Sequence, residues 1–260
     1  MRLSFSNIAW SNEQDEGMYK LLQQEGFEGL EIAPTRIFPQ KPYDHNYEAY
    51  LFAKLLWDRY NLRISSMQSI WYGREEKIFG TDEERRTLID YTKEAIDFAV
   101  SMDCHNLVFG CPQNRKIPEG ADALSAYPFF VEIADYAQKQ GTVIALEANP
   151  TIYGTNFINQ TNEAFDYANR VSGLMVNVDL GTIIENSEDL QVIKENIHLV
   201  NHIHISEPYL ASIQTRKLHN DLAAILKEKN YSRYVSVEMK KPDNIATIMQ
   251  TAQYIREVFS

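Results

Sequence analysis

The sequence predicts an α/β fold, a single (β/α)8 (TIM) barrel running through residues 1–260. Three observations lead there. Short apolar or β-branched runs alternate with longer stretches of helical period. Eight such runs occur in 260 residues, and the length is close to the ~250 residues typical of this barrel. Four consecutive runs carry, at or next to their ends, a residue able to bind a metal ion.

The eight runs are Arg2–Phe5, Gly29–Ala33, Arg63–Gln68, Leu107–Gly110, Val143–Glu147, Gly173–Asp179, Val200–Ile205 and Tyr234–Glu238. Helical segments fill the spaces between them. Thr81-Asp-Glu-Glu84 is a capping box ahead of Leu88, Tyr91, Ala95, Phe98 and Met102, spaced three or four apart. The final helix is expected to open after Pro242-Asp243, with Ile245, Ile248, Met249, Ala252, Ile255 and Phe259 on one face. Segments 12–25, 45–60, 123–140, 161–171, 187–197 and 217–229 supply the rest. An open doubly wound sheet would also alternate β and α. Such a sheet usually carries a Gly-rich phosphate loop after an early strand, and neither GxGxxG nor GxxxxGK[ST] occurs.

Composition narrows the partners. Hydrophobic residues make up 44% and charged residues 23%, with a net charge of −11. Nucleic-acid binding depends on neutralising phosphates with Lys and Arg, and this chain has no basic run with which to build a groove. Membrane-surface binding is disfavoured for the same reason, and no apolar run approaches the ~20 residues of a membrane span. The opening MRLSFSNIAW reads as a strand and not as a signal peptide. Cys104 and Cys111 form neither a disulfide framework nor a zinc motif. A cytoplasmic protein with a small-molecule partner is the expectation. The oligomeric state stays open, a homo-oligomer included.

Parallel barrel strands are covered on both faces and should be almost wholly apolar. Yet four runs carry Glu147, Asp179, His204 and Glu238 at or next to their ends, separated by 32, 25 and 34 residues, or roughly one βα unit each. That spacing brings three carboxylates and an imidazole to the C-terminal rim, where barrels of this kind carry their catalytic residues. Taken singly, a strand-end Asp is often a helix cap and a lone His often a satisfied core group. Three converging carboxylates repel one another unless protonated or neutralised, and one divalent cation removes that cost. The oxygen-rich set suits Mn²⁺ or Mg²⁺, with Co²⁺ or Zn²⁺ acceptable.

The motifs ALEANP, VNVDLGT, HIHISEP and VSVEM, in that order, resemble the xylose isomerase-like barrel superfamily. Within it they are most similar to the sugar phosphate isomerase/epimerase group that includes ketose 3-epimerases and hydroxypyruvate isomerase. RLSFSNIAW and FEGLEIAP extend the resemblance through nearly the whole chain. It implies that Glu147, Asp179, His204 and Glu238 hold the metal, with the second histidine of HIHIS as the ligand. It also implies that Glu147 and Glu238 act as base and acid on a sugar, sugar phosphate or sugar acid, through an enediolate. Three positions depart from the ketose 3-epimerase pattern. Thr182 replaces a substrate-binding His, Tyr153 an acidic residue and Leu210 an Arg. The metal set is kept while the shell that clamps substrate hydroxyls is rebuilt. A dehydratase acting on an inosose or dehydroshikimate is therefore an alternative on the same fold. An endonuclease IV-type repair enzyme would need more histidines, and a non-catalytic sugar sensor would not need all four ligands.

Strand alternation adds substrate-binding candidates. Asn149, Ser206 and Lys240 lie two residues past Glu147, His204 and Glu238. Lys240 is a cation that could hold a carboxylate or phosphate, or else a solvated loop lysine. Glu207 lies near the seventh strand end, and His202 points inward one layer deeper. Asn7, Trp10, Gln68 and Cys111 are candidate wall residues, with Trp10 able to stack on a sugar face or simply pack. His219 is expected to cap a helix or face solvent, and His45, His105 and His198 to be structural or exposed.

Overall fold

The computed structural model describes residues 1–260. Its eight strands are β1 (Arg2–Ser6), β2 (Gly29–Ile32), β3 (Arg63–Met67), β4 (Leu107–Phe109), β5 (Ile144–Glu147), β6 (Met175–Asp179), β7 (Val200–Ile205) and β8 (Tyr234–Val237). All pairings are parallel and in sequence order, and β8 returns to β1 with Arg2 opposite Tyr234, so the barrel is closed. Each expected strand is present, shifted by no more than two residues at either end. Closure leaves no sheet edge to protect.

The surrounding helices are α1 (Asp15–Gln24), α2 (Pro34–Ile37), α3 (Asn46–Tyr60), α4 (Asp82–Ser101), α5 (Tyr127–Gln140), α6 (Thr161–Arg170), α7 (Leu180–Asn186), α8 (Gln191–Glu195), α9 (Lys217–Glu228) and α10 (Ala246–Phe259). The capping box that opens α4 is formed in both directions. Glu84 N–H donates to Thr81 Oγ1 at 3.2 Å and Thr81 N–H to Glu84 Oε2 at 2.8 Å. One expectation needs correction. The 187–197 segment is α-helical only over α8 (Gln191–Glu195), and a separate α7 precedes it, ended at Ser187 by a left-handed φ of 54°. That preceding helix, α7, starts directly from the end of β6 because Asp179 caps it.

One contiguous cluster of 68 buried apolar residues joins strands and helices, so the site rests on a continuous packed support. Inside the barrel the residues are smaller and more polar. Ser4 and Ser65 hydroxyls bond at 2.6 Å, and Asn106 donates to Ser66 at 2.9 Å. The interior is tight enough that a Cβ on Gly29 would meet Ser65, Tyr234 and Ser4 at 2.7–2.9 Å. Two register irregularities interrupt the ladders, between Leu30 and Glu31 against β3, and between Val176 and Asn177 against β7. Irregularities of this kind re-aim a side chain locally, and Glu31 and Asn177 both reach the centre described next.

Candidate metal centre

Glu147, Asp179 and His204 each present a ligand atom, and these atoms lie within 4.8 Å of one another. Glu147 ends β5, Asp179 ends β6 and His204 is the fifth residue of β7. Glu238 follows β8 and extends its ladder, its N–H donating to Ile205 O at 2.9 Å. His204 Nδ1 is the common neighbour, 3.1 Å from Glu147 Oε1 and 3.3 Å from Glu238 Oε2. The four sequence-predicted ligands are thus brought together at the C-terminal ends of four adjacent strands.

Each is oriented by a partner. His204 Nε2 lies 2.8 Å from Glu31 Oε2, so an ionised Glu31 accepts a hydrogen bond from Nε2–H and leaves Nδ1 toward the carboxylates. Glu147 is held at both oxygens: Asn177 Nδ2 donates to Oε1 at 2.7 Å and Asn149 Nδ2 to Oε2 at 3.0 Å. A Cβ on Gly110 would sit 2.7 Å from Glu147 Oε2, so glycine is what allows the carboxylate its place. Asp179 accepts from the Thr182 N–H at 2.8 Å and has the Thr182 hydroxyl 2.9 Å from the same oxygen. The Ser206 hydroxyl donates to its other oxygen and accepts from the Gly181 N–H at 2.8 Å. Thr182, one of the departures noted above, therefore fixes Asp179 and leaves no side chain there to clamp a substrate.

The electrostatics reflect carboxylates crowded in a dry place. Burial, reinforced by the charge of Glu147, raises the Asp179 pKa. Burial likewise pushes Glu238 up to about 7, against the pull of His204. Burial opposes ionisation of Glu31 too, but the His204 and His202 imidazoles outweigh it and hold that carboxyl well below its usual range. For His204, burial disfavours the charged ring, yet Glu31 and Glu238 reverse the balance and raise its pKa well above the ordinary value. Without another cation the ring retains a second proton, on the side facing the carboxylates. A divalent ion would replace that proton and relieve the repulsion, and the three-carboxylate, one-imidazole donor set fits a hard or borderline ion.

Glu31, His202 and His204 form a second group of candidate ligands. His202 Nε2 is 3.1 Å from Glu31 Oε2, but its ring is not aligned for a hydrogen bond, and burial lowers its pKa. These three are at most 1% exposed and do not line the cavity, whereas Glu147, Asp179 and Glu238 open into it. The geometry makes Glu31 the carboxylate that orients His204, the role an outer carboxylate plays beside a metal-binding histidine.

The cavity above the cluster has a volume of about 190 Å³. Among the other sequence candidates, Asn149, Gln68 and Cys111 line it, as do Tyr153 and Leu210. Gln68 also donates to Ser6 Oγ at 2.7 Å and Glu31 Oε1 at 3.1 Å. Tyr209 and Leu210 adopt consecutive left-handed conformations, φ 60° and 54°, and the Tyr209 N–H donates to Tyr153 Oη at 2.9 Å. Non-glycine residues held this way store strain that often marks a functional loop. Here it places Leu210 on the cavity wall with Glu147, Asp179 and Glu238.

Other candidates lie elsewhere. Lys240 is exposed and makes no ion pair, although its N–H anchors the strained loop through Leu210 O at 2.9 Å. Glu207 is occupied by Arg216 and by the Gln214 N–H at 3.1 Å. Trp10 is buried, donating to Asp15 at 2.8 Å and packing edge-on against Phe5. Asn7 is buried and accepts from the Ala33 N–H at 3.0 Å. His219, expected to cap a helix or face solvent, is instead fully buried and 2.9 Å from Tyr254 Oη. A larger depression of about 560 Å³ lies at the opposite end, lined by Arg2, Arg63 and Tyr234, but it gathers no group of three ligands.

The sequence reading passed over Glu31, Asn177 and Arg115. A signal existed for Glu31, a charged residue inside the otherwise apolar run Gly-Leu-Glu-Ile. Arg115 comes from an irregular loop and carried none.

A family profile described as the xylose isomerase-like TIM barrel matches residues 19–258. The chain belongs to the xylose isomerase-like TIM barrel family. A comparison with curated proteins found no significant match. Among solved structures, this family member is similar to D-psicose 3-epimerase from Clostridium cellulolyticum H10, with 13% identity over 100% of both chains and a TM-score of 0.81. It is similar also to 3-keto-D-glucoside 4-epimerase from E. coli, with 16% identity over 99% of each chain and a TM-score of 0.74. A structure described as AP endonuclease, family 2, from Brucella melitensis shares 18% identity over 100% of this chain and 96% of its own, at a TM-score of 0.71. At these identities the likeness establishes the xylose isomerase-like fold. The reaction has to be argued from the site. No helix is long and apolar enough to cross a membrane.

Proposed function

We propose that the chain is a divalent-metal-dependent isomerase or epimerase of a small sugar, sugar phosphate or sugar acid. The observation that carries this reading is the approach of two separate glutamates, Glu147 and Glu238, to the same nitrogen of His204 at the floor of a small cavity. Glu147, Asp179, His204 and Glu238 would hold one ion, with Mn²⁺ or Mg²⁺ favoured and Co²⁺ or Zn²⁺ tolerated. When bound, the ion supplies Lewis acidity that makes the C–H beside a substrate carbonyl acidic.

The residues do the rest. Glu147, with each oxygen already accepting from an amide, is kept in place as a proton acceptor. Glu238, which approaches the same His204 nitrogen at 3.3 Å and opens into the cavity, is the second group placed to give or take a proton. One removes the proton next to the carbonyl to leave an enediolate, and the other returns it. Asn149 and Gln68 are the polar wall groups for a substrate hydroxyl, and Leu210 and Tyr153 exclude water above. Epimerases among the proteins of the same fold support a carbohydrate substrate.

A dehydratase has one observation in its favour. Thr182 is committed to Asp179 and Leu210 replaces a guanidinium, so no clamp for an extended row of hydroxyls survives, as suits a compact cyclic substrate. The two readings separate in one experiment. Ketoses, sugar phosphates and inososes are incubated with Mn²⁺-loaded protein in D2O. Deuterium at the carbon beside the carbonyl, without loss of water, is expected. A product that gains ultraviolet absorbance would replace isomerisation with elimination.

A further inference from the structure

We propose that Arg115 is a positioning residue of the metal centre, fixing the amide of Asn149 and through it the carboxylate of Glu147. The inference rests on the function proposed above only in taking Glu147 as a metal ligand. Arg115 follows the short turn Pro112–Asn114 in the loop between β4 and α5. It is 0% exposed and heads the fully buried side chains by volume. Its Nη2 donates to Asn149 Oδ1 at 2.8 Å and has Ile158 O at 3.4 Å, while Nε and Nη1 have no partner. No carboxylate lies within ion-pair distance.

Three consequences follow from that placement. A guanidinium only donates hydrogen bonds, so the Asn149 carbonyl oxygen has to face Arg115. The Asn149 amide nitrogen is then left to face Glu147, where it donates to Oε2 at 3.0 Å. With the amide reversed, an oxygen would oppose the carboxylate and Glu147 would swing away.

Charge points the same way. Glu31, Glu147, Asp179 and Glu238 are all buried at this end of the barrel, none more than 9% exposed. A divalent ion offsets two of the four charges. Arg115 adds a further positive charge one amide away from Glu147. Burying a guanidinium with idle nitrogens is costly, and two hydrogen bonds do not explain it, whereas the carboxylate cluster does. Burial lowers the Arg115 pKa only to about 10, which leaves the group charged at neutral pH.

The test is Mn²⁺ affinity by calorimetry and the visible spectrum of the Co²⁺-loaded chain, for wild type, Arg115→Met, Arg115→Lys, Asn149→Ala and the Arg115→Met/Asn149→Ala double variant. Loss of an outer partner typically costs ~10–100-fold in metal affinity, and that loss, with a shifted spectrum, is expected for Arg115→Met. Arg115→Lys, which keeps charge and donors, should recover most of it. The double variant should bind no more weakly than Asn149→Ala alone, because the two residues act in series. Arg115→Gln, a neutral chain that buries at lower cost, carries the same expectation if Arg115→Met fails to fold. Wild-type affinity and spectrum in a folded Arg115→Met or Arg115→Gln variant would overturn the assignment, as would additive losses in the double variant. Absence of metal binding in the wild type would overturn the proposed function and this inference together, whereas a metal-binding wild type with unaffected variants overturns this inference alone.

Discussion

Glu31 Oε2 and His204 Nε2 are 2.8 Å apart although 173 residues separate them in the chain. This contact decides which nitrogen of His204 faces Glu147 and Glu238. Glu31→Gln keeps the shape but gives up the charge that accepts the Nε2–H hydrogen bond. The expected result is a ~10–100-fold loss of metal affinity in a variant that still folds, measured by calorimetric titration with Mn²⁺. Unchanged affinity would reduce Glu31 to a packing group.

Removing a ligand should do more. His204→Ala or Asp179→Asn is expected to abolish most binding of the single ion per chain, measured by metal content after dialysis. Wild type should also melt at a higher temperature with Mn²⁺ present, since ligand at 100 times its Kd stabilises a folded chain by about 2.7 kcal/mol. Neither variant should show that shift. Retained metal in both would place the site elsewhere.

Metal binding should release protons, and affinity should climb between pH 6 and 8. Without another cation, His204 holds its second proton well above the ordinary histidine range, because Glu31 and Glu238 outweigh burial. Glu238, raised to about 7 by burial, is partly protonated at neutral pH. Both groups must give up protons before they can ligate, so acid competes with the ion. Calorimetry in buffers of differing ionisation enthalpy measures the number released. A binding enthalpy independent of buffer would show that the ligands are already deprotonated.

Glu147→Gln and Glu238→Gln should each lower turnover by ~10²–10⁴-fold, the usual contribution of a general acid or base, with loss of a ligand charge adding to this. If each glutamate serves one face of the carbon, a single variant should retain solvent-deuterium exchange in one direction only. Measuring exchange and net conversion separately for both variants assigns the base. Turnover that keeps all of the original carbon-bound hydrogen would indicate a hydride shift and end the two-glutamate scheme.

The barrel was legible, and its four strand-end candidates stood out, because parallel strands covered on both faces read as mostly apolar runs. Against that background Glu147, Asp179, His204 and Glu238 stand out at intervals of one βα unit, and period alone carries them to one rim. Thr182, Tyr153 and Leu210 were legible as departures but not in their roles. It took the folded chain to show Thr182 donating to the capping carboxylate of Asp179 and Leu210 held at the cavity by a left-handed backbone. Lys240 has the right offset from Glu238, yet it is exposed, three residues beyond the end of β8 at Val237.

By itself the sequence determined the order of strands and helices, the closed topology and the residues offered to a metal, all of which follow from local period and spacing. The tertiary structure decided which groups orient those residues: Glu31 on β2, Asn177 at a ladder irregularity and Arg115 in a loop without period. Their roles depend on hydrogen bonds across the barrel between residues far apart in the chain, and such contacts exist only once the backbone has closed and excluded water.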